Sequence, residues 1–303
     1  MSNGLVIYRG PSELDGVPII AVATGFDKIS SNRKLGKSLV QTWILREDLN
    51  PYEAVLTGGD TSVCGDCMHR GTTDGHKITS RTCYVLVLFA PLGIWRCYRS
   101  QPEVSPAELT GLFRGRGVRL GAYGDPAAVP PQVWRSVTAE AAFWTGYTHQ
   151  WRTCDPIFAD WCMASCDSPT ERIAAKTLGY RTFRVSVHDA RHDHDRNEVV
   201  CPASAEMGHR TTCDRCRACG GTRRKMHHDV VITMHGASAG RARRSTPAAV
   251  EPIQMSGDAG VSPAAAGQPP AENRSRLRGT SSGPDEHPQQ PLGEPRRQTA
   301  GQG

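Results

Sequence analysis

Between residues 105 and 187, helix and strand signals alternate with connections too short for anything but crossovers, and no other feature constrains the fold more. Ser105 and Pro106 open a helix that continues to Phe113, and residues 118–123 then read as a strand. Residues 131–142 carry Val133, Trp134 and Val137 at helical spacing, and residues 143–148 form the next strand. A helical turn over 156–161 precedes a strand over 162–165. Ser168, Pro169 and Glu171 form a capping box ahead of Ile173, Ala174 and Leu178; Gly179 stops that helix, and residues 181–187 are the strand after it. Strands joined by helices rather than hairpins run parallel, with right-handed crossovers. The fold class is therefore α/β, with parallel β/α units forming a partial barrel or an open sheet. In either arrangement function gathers at the C-terminal ends of the strands. Those ends carry Gly124 and Asp125, then His149, Gln150 and Trp151, then Asp167, and finally His188 and Asp189.

Upstream, residues 17–24 and 38–45 read as strands around a polar turn over 30–37. Asn50 and Pro51 cap and open a short helix through Leu56, closed by Gly58 and Gly59. Residues 83–89 are apolar enough for a buried strand, residues 91–98 begin another helix, and residues 230–233 close the ordered part as a short strand. From residue 237 the chain is Ala, Gly, Pro, Ser, Gln and Arg with almost no aliphatic runs, which predicts a disordered tail over 237–303 behind an α/β metal-binding domain over 1–236. No stretch approaches the roughly 18 to 20 apolar residues that span a bilayer, and the N-terminus lacks a basic region followed by an apolar run. The expectation is a cytoplasmic protein with no membrane partner.

Eleven cysteines in a chain without a secretory signal point to metal before disulfide. Cys213, Cys216 and Cys219 form C-x2-C-x2-C, with Cys201 twelve residues upstream and followed by Pro202. Two-residue spacing lets successive thiolates curl around one centre while backbone N–H groups point at the sulfurs. Three cysteines on one loop plus a remote Cys-Pro is the ligand layout of a 4Fe–4S cluster in bacterial ferredoxins, and a structural zinc with four thiolates is the alternative. A first cluster comprises Cys64 and Cys67 at C-x2-C and Cys83 after fifteen intervening residues. Three thiolates leave one position open, as a catalytic zinc or a substrate-binding cluster iron requires; His69, His76 or Cys97 would instead close it. A third reading has Cys64 and Cys67 join ligands of the second cluster in space, making one shared site. Cys154, Cys162 and Cys166, on or beside a buried strand, read as packing residues, as does Cys97.

The segments Val63-Cys-Gly-Asp-Cys67, Arg81-Thr-Cys-Tyr84, Val118-Arg-Leu-Gly-Ala-Tyr-Gly-Asp-Pro126, Tyr147-Thr-His-Gln-Trp151, Cys162-Met-Ala-Ser165 and Cys201-Pro with the final C-x2-C-x2-C resemble a family of uncharacterised phage and prophage proteins. The chain is similar, more distantly, to the phage "gene product eighty-eight" type, over residues 17–236. Members of that family tend to have Pro after the second cysteine and an aliphatic residue at the third cysteine of the middle group; here these are Met68 and Cys166, and no candidate ligand is lost. Three cysteines near the start of a β/α domain also resemble radical S-adenosylmethionine enzymes. Their usual C-x3-C-x2-C spacing differs from Cys64-x2-Cys67-x15-Cys83, so that resemblance is one of architecture.

Asp125 in Tyr-Gly-Asp-Pro is read either as a carboxylate projecting into the mouth of the sheet or as a side chain bonding the following turn. His149 with Tyr147 and Trp151 is read as a stacking surface for a ring substrate or as half-buried packing. Asp125 and His149 are the catalytic candidates. Ser165 and Asp167 are explained by helix capping at least as well as by catalysis. His188, His192 and His194 alternate with Asp189, Asp193 and Asp195 in a loop of no defined ligand geometry. The net charge of +6 permits nucleic-acid contact without demanding it. Arg223, Arg224, Lys225, His227 and His228, extended by Arg241, Arg243 and Arg244, form the basic stretch that would meet phosphate. No P-loop, dinucleotide-binding turn or G-x-S-x-G elbow is present, which disfavours nucleotide-hydrolysing motors and serine hydrolases. Two functions follow as expectations: an iron–sulfur enzyme, or a zinc-stabilised accessory protein that binds nucleic acid or protein without catalysis.

Overall fold

The computed structural model describes residues 4–27, 34–36, 39–223, 228–236 and 239–240. The first strands are β1 (Gly4–Pro11), β2 (Pro18–Thr24) and β3 (Leu39–Arg46). Two helices, α1 (Pro51–Thr57) and α2 (Thr61–Cys64), lead into a small ribbon of β4 (Thr72–Thr73) and β5 (Ile78–Thr79). Helices α3 (Ala90–Cys97) and α4 (Pro106–Leu112) precede β6 (Gly117–Tyr123), α5 (Pro131–Ala139) and β7 (Phe143–Thr148). The chain continues through β8 (Met163–Cys166), α6 (Pro169–Thr177), β9 (Thr182–Ser186), β10 (Glu198–Val200), α7 (Cys213–Cys216) and β11 (Asp229–Thr233).

Nine of these strands make one sheet in the order β1-β2-β3-β6-β7-β8-β9-β11-β10. The pairings β1–β2 and β2–β3 are antiparallel, and every pairing from β3 to β10 is parallel. Local chemistry sets the helix ends. The Asn50 side chain accepts from the Tyr52 and Glu53 N–H groups at 3.0 Å each, and Gly58 closes α1 at a φ of 77°. Glu108 completes a capping box with Ser105, and Ser168 caps α6 by accepting from Glu171 N–H at 3.1 Å. Trp134 of α5 is fully buried, and its indole N–H donates 2.8 Å to the Pro126 carbonyl, locking the helix to the loop after β6. Charge is buried at the far end of the sheet. Arg184 pairs with Glu198 and Asp193, and Arg172 with Asp195 and Asp229.

Residues 83–89, expected as a buried strand, form a loop that leaves Leu86, Leu88 and Phe89 exposed. Both edges of β3 are already paired, with β2 and β6, so no place for this strand remains beside it. β1 and the three-residue β10 are additional strands. Among the described residues no helix is long and apolar enough to cross a membrane. The tail expected over 237–303 lies outside the described residues apart from 239–240.

β6 reaches the site through an irregularity. Its register against β3 runs Gln41↔Arg119 and then Trp43↔Tyr123, and Gly121 sits between at a φ of 69°. The Thr42 hydroxyl bridges this bulge, donating to Arg119 O at 3.1 Å and accepting from Gly121 N at 2.9 Å. A bulge of this kind bends the strand and re-aims its end. Gly124 follows at a φ of 81°, where an added Cβ would lie 2.6 Å from Ile44 Cβ and 2.8 Å from its carbonyl oxygen. Gly124→Ala is therefore expected to cost about 1–3 kcal/mol from the strained backbone alone. Urea unfolding should show a lower midpoint at unchanged slope; an unchanged midpoint would refute the close packing of this turn.

Candidate functional site

A cavity of about 450 Å³ opens at the C-terminal edge of the parallel strands. Residues of successive strands line it, mostly at alternate positions: Arg119, Gly121, Ala122 and Tyr123 of β6, Thr145 and Tyr147 of β7, Ser165 of β8, and Phe183 and Val185 of β9. Side chains alternate faces along a strand, so one face of the sheet forms the cavity wall. The loops after β3, β6 and β7 supply its rim with Cys64, Cys67, Cys83, Asp125 and His149.

The three cysteines of the first cluster thus surround one space with both catalytic candidates. Backbone bonds fold their loop back on itself, because the His69 carbonyl accepts from Thr82 N at 3.2 Å and from Cys83 N at 2.9 Å. Gly65 takes a φ of 58°, and a Cβ there would stand 2.3 Å from the Gln150 side chain. Gln150 Nε2 donates to the Cys64 carbonyl at 3.2 Å and to Asp66 Oδ1 at 2.8 Å. The Cys-Gly-Asp-Cys sequence is thereby explained: its glycine makes room for Gln150 and its aspartate receives it. Burial pushes the Cys64 and Cys67 thiols up, and the neighbouring cysteines and carboxylates push in the same direction.

Asp125 is a clamp. Its carboxylate accepts from Ala127 N at 3.0 Å and His149 N at 2.7 Å, while its own N–H donates 2.6 Å to the Val63 carbonyl. It therefore ties the cysteine loop to the loops after β6 and β7, and burial raises its pKa against those hydrogen bonds. The turn-bonding reading of Asp125 accounts for these contacts.

His69, His149 and Asp167 bring their ligand atoms within 4.8 Å of one another. Asp167 Oδ1 lies 2.7 Å from His69 Nε2, whose Nδ1 is 2.7 Å from the Thr82 hydroxyl. His149 Nε2 is buried with no hydrogen-bond partner and stands 3.9 Å from Asp167 Oδ2. Burial lowers the His149 pKa and keeps the ring neutral, the form that ligates metal. Burial also works to raise Asp167, but the His69 hydrogen bond and the nearby imidazoles carry it below the usual carboxylate range. Among the described residues this is the only set of three such groups that closes to 4.8 Å, and neither set of thiols converges as a group to that distance. His69 enters the sequence reading only as a fourth ligand, and Asp167 as a strand-end residue that capping explains at least as well as catalysis. Their convergence across 98 residues of chain has no local signal.

The second cluster borders the same cavity, where Cys213 joins the lining. Cys201 follows β10, and its N–H donates to Val231 O at 2.8 Å. Cys213 N donates to Lys34 O and Gly146 N to Cys219 O, at 2.8 and 3.0 Å. Arg181 donates to the Ala218 and Gly221 carbonyls at 2.8 and 3.0 Å. Burial raises the thiols of Cys201, Cys213 and Cys219, the last to about 12, and charge on the neighbouring cysteines of the set raises each further.

Other sequence candidates lie elsewhere. Trp151 is buried against Ala164, Cys166, Ala175 and Tyr180, not in the cavity, because its indole N–H donates to the Ser165 carbonyl at 3.1 Å. The His188–Asp195 loop is built of ion pairs: Asp189 pairs with Arg191, Asp193 with Arg184 and Asp195 with Arg172. Cys162 and Cys166 are buried as expected, whereas Cys97, expected to pack, is exposed. In the basic stretch, Arg223 stands 3.7 Å from Asp160 and His228 is exposed; Arg224, Lys225, His227, Arg241, Arg243 and Arg244 lie outside the described residues. No protein-family model matches the chain, and searches of curated proteins and of solved structures return no match.

Proposed function

We propose that this chain is a phage-type metal-binding protein that works as an iron–sulfur enzyme on a scaffold resembling radical S-adenosylmethionine enzymes. One observation carries the reading: Cys64, Cys67 and Cys83 lie in the loop region after the first parallel strand and face a cavity walled by residues of the strands that follow. The strand order supports a partial barrel. β3, β6, β7, β8 and β9 are neighbours in chain order, so every crossover steps the same way. Right-handed crossovers in one direction place their helices on one face and leave the other face to curl around the cavity.

The donor chemistry suits a metal centre: three thiols and the unpartnered Nε2 of His149 line one space, although the thiols do not close to 4.8 Å as a group. A centre held by three thiolates keeps one position open for substrate. In this reading the chain's own residues orient and shield. Asp125 fixes the loops, Gln150 fixes the cysteine turn, and Tyr123 and Tyr147 exclude water from the cavity floor. Cys201, Cys213, Cys216 and Cys219 hold a second centre, 4Fe–4S or zinc.

The alternative is a zinc-stabilised accessory protein that binds nucleic acid or protein without catalysis. It is favoured by how many backbone bonds tie the second cluster to the sheet, as a structural zinc site requires. Anaerobic purification of the full chain separates the two readings. The enzyme reading expects a brown protein with visible cluster absorption, iron and acid-labile sulfide, and a colourless protein carrying zinc overturns it. Because the buried thiols are protonated without metal at neutral pH, loading releases protons, and metal retention should fall as pH is lowered.

A further inference from the structure

Arg119 lies on β6 with its guanidinium in the wall of the cavity, away from the His149 end. Its Nη2 donates 2.7 Å to the Tyr84 hydroxyl, while its Nε is buried with no hydrogen-bond partner. Among the described residues no carboxylate lies within 4.0 Å of it. The single carboxylate that lines the cavity, Asp125, is already taken by two backbone N–H groups. A guanidinium does not deprotonate in a protein, so it cannot escape burial by becoming neutral. A guanidinium partly withdrawn from water, with its Nε buried and no carboxylate beside it, carries a desolvation cost that an anion supplied from outside would relieve.

We propose that the cavity binds a small anionic molecule whose carboxylate or phosphate pairs with Arg119. The inference rests on reading the cavity as the active site and names the class of its substrate. A guanidinium offers two parallel donors to either oxyanion, which fixes orientation as well as affinity. Beyond the charged end the walls are apolar, formed by Phe183, Val185 and Ile232, with the Tyr147 and Phe183 rings 4.5 Å apart. They suit the carbon body of such a molecule. With its anionic group on Arg119, that body would extend toward His149 and the first cysteine cluster. The volume is that of a small-molecule site rather than of a polymer groove.

The test is calorimetric titration of the full chain as purified with inorganic phosphate and, separately, with benzoate, at ionic strength held constant with chloride. One of the two should bind saturably, and which one does so tells phosphate from carboxylate. Arg119→Gln should weaken that binding roughly ten- to hundredfold, as expected for loss of a charge-assisted pair. Arg119→Lys should fall between, and it decides the matter alone if Arg119→Gln does not fold. Metal content should be unchanged in both variants. The proposal is overturned if neither anion binds better than chloride, or if the variants bind as the wild type does. Loss of metal from both variants also overturns it, since the guanidinium would then be the counter-charge of the Cys213 centre. A metal-free chain that still binds the anion through Arg119 leaves this inference standing and removes the enzyme reading. A metal-loaded chain that binds neither anion does the reverse.

Discussion

Serine at Cys213 and Cys216 together is expected to remove one metal centre per chain and to lower the melting temperature by roughly 10 °C, a loss of several kcal/mol in a domain of this size. The four thiols stand in a long crossover between β10 and β11 whose described residues contain a single four-residue helix. Such a segment buries little apolar surface of its own, so its order has to come from elsewhere. Part comes from the backbone bonds of Cys201, Cys213 and Cys219 and from Arg181. These fix where the loop meets the sheet but not the turns between the cysteines, where Arg217 sits at a φ of 56° in the left-handed region. Metal–thiolate bonds would hold that turn. Cys213 packs against the cores around Met163 and around Leu35, and a hydroxyl there adds a polar group without a ligand to satisfy it. Elemental analysis and thermal melts of the wild type and the double variant decide the matter. Equal metal stoichiometry in the two proteins would refute the centre outright. Retained metal loss with an unchanged melt would show that the centre binds metal without supporting the fold.

The parallel part of the fold was legible because its signals are local. The Asn50, Ser105 and Ser168 caps mark helix starts, and strand boundaries at β6, β7 and β9 fall within about a residue or two of where the apolar pattern puts them. Residues 83–89 misled for a physical reason. A continuous apolar run states only that burial is favourable, and whether a strand forms depends on an unpaired edge being available. β10 is too short to display a period, and its two charged partners, Arg172 and Arg184, come from α6 and β9. In the site, the cysteine spacings announced themselves, and the placing of Cys64, Cys67 and Cys83 near Asp125 and His149 followed from their positions at strand ends. The triad of His69, His149 and Asp167 did not, because it depends on which loops meet above the sheet. Arg119 was silent for a different reason: a charged residue inside a strand ordinarily alternates outward to solvent, and only the loops that meet over this face of the sheet enclose it in a cavity.

Asp229→Ala is expected to destabilise the chain by about 3–5 kcal/mol, the cost of stripping one partner from a buried charge network. Asp229 is fully buried at the start of β11. Its carboxylate accepts from Thr182 N at 3.0 Å and from Arg172 Nη2 at 3.1 Å, and Lys176 Nζ lies 3.2 Å away. One side chain therefore joins β9, α6 and β11. Without it Arg172 keeps Glu198 at 3.6 Å and the more exposed Asp195 at 2.8 Å, so its charge is only partly compensated, and the Thr182 N–H loses its acceptor. Asp229→Asn preserves an acceptor for that N–H and should cost less than alanine. The comparison separates the hydrogen bond from the charge. The effect also bears on function, because β11 carries Ile232 into the cavity wall and leads directly to Met234 and His235 at its rim. Loosening the start of β11 should weaken binding in the cavity while leaving the three cysteines of the first cluster in place, since their loop is anchored to Asp125 and Gln150. Chemical denaturation of the two variants, with metal content measured alongside, tests this. A cost below about 1 kcal/mol for Asp229→Ala would show that the network adds no more than an exposed ion pair does.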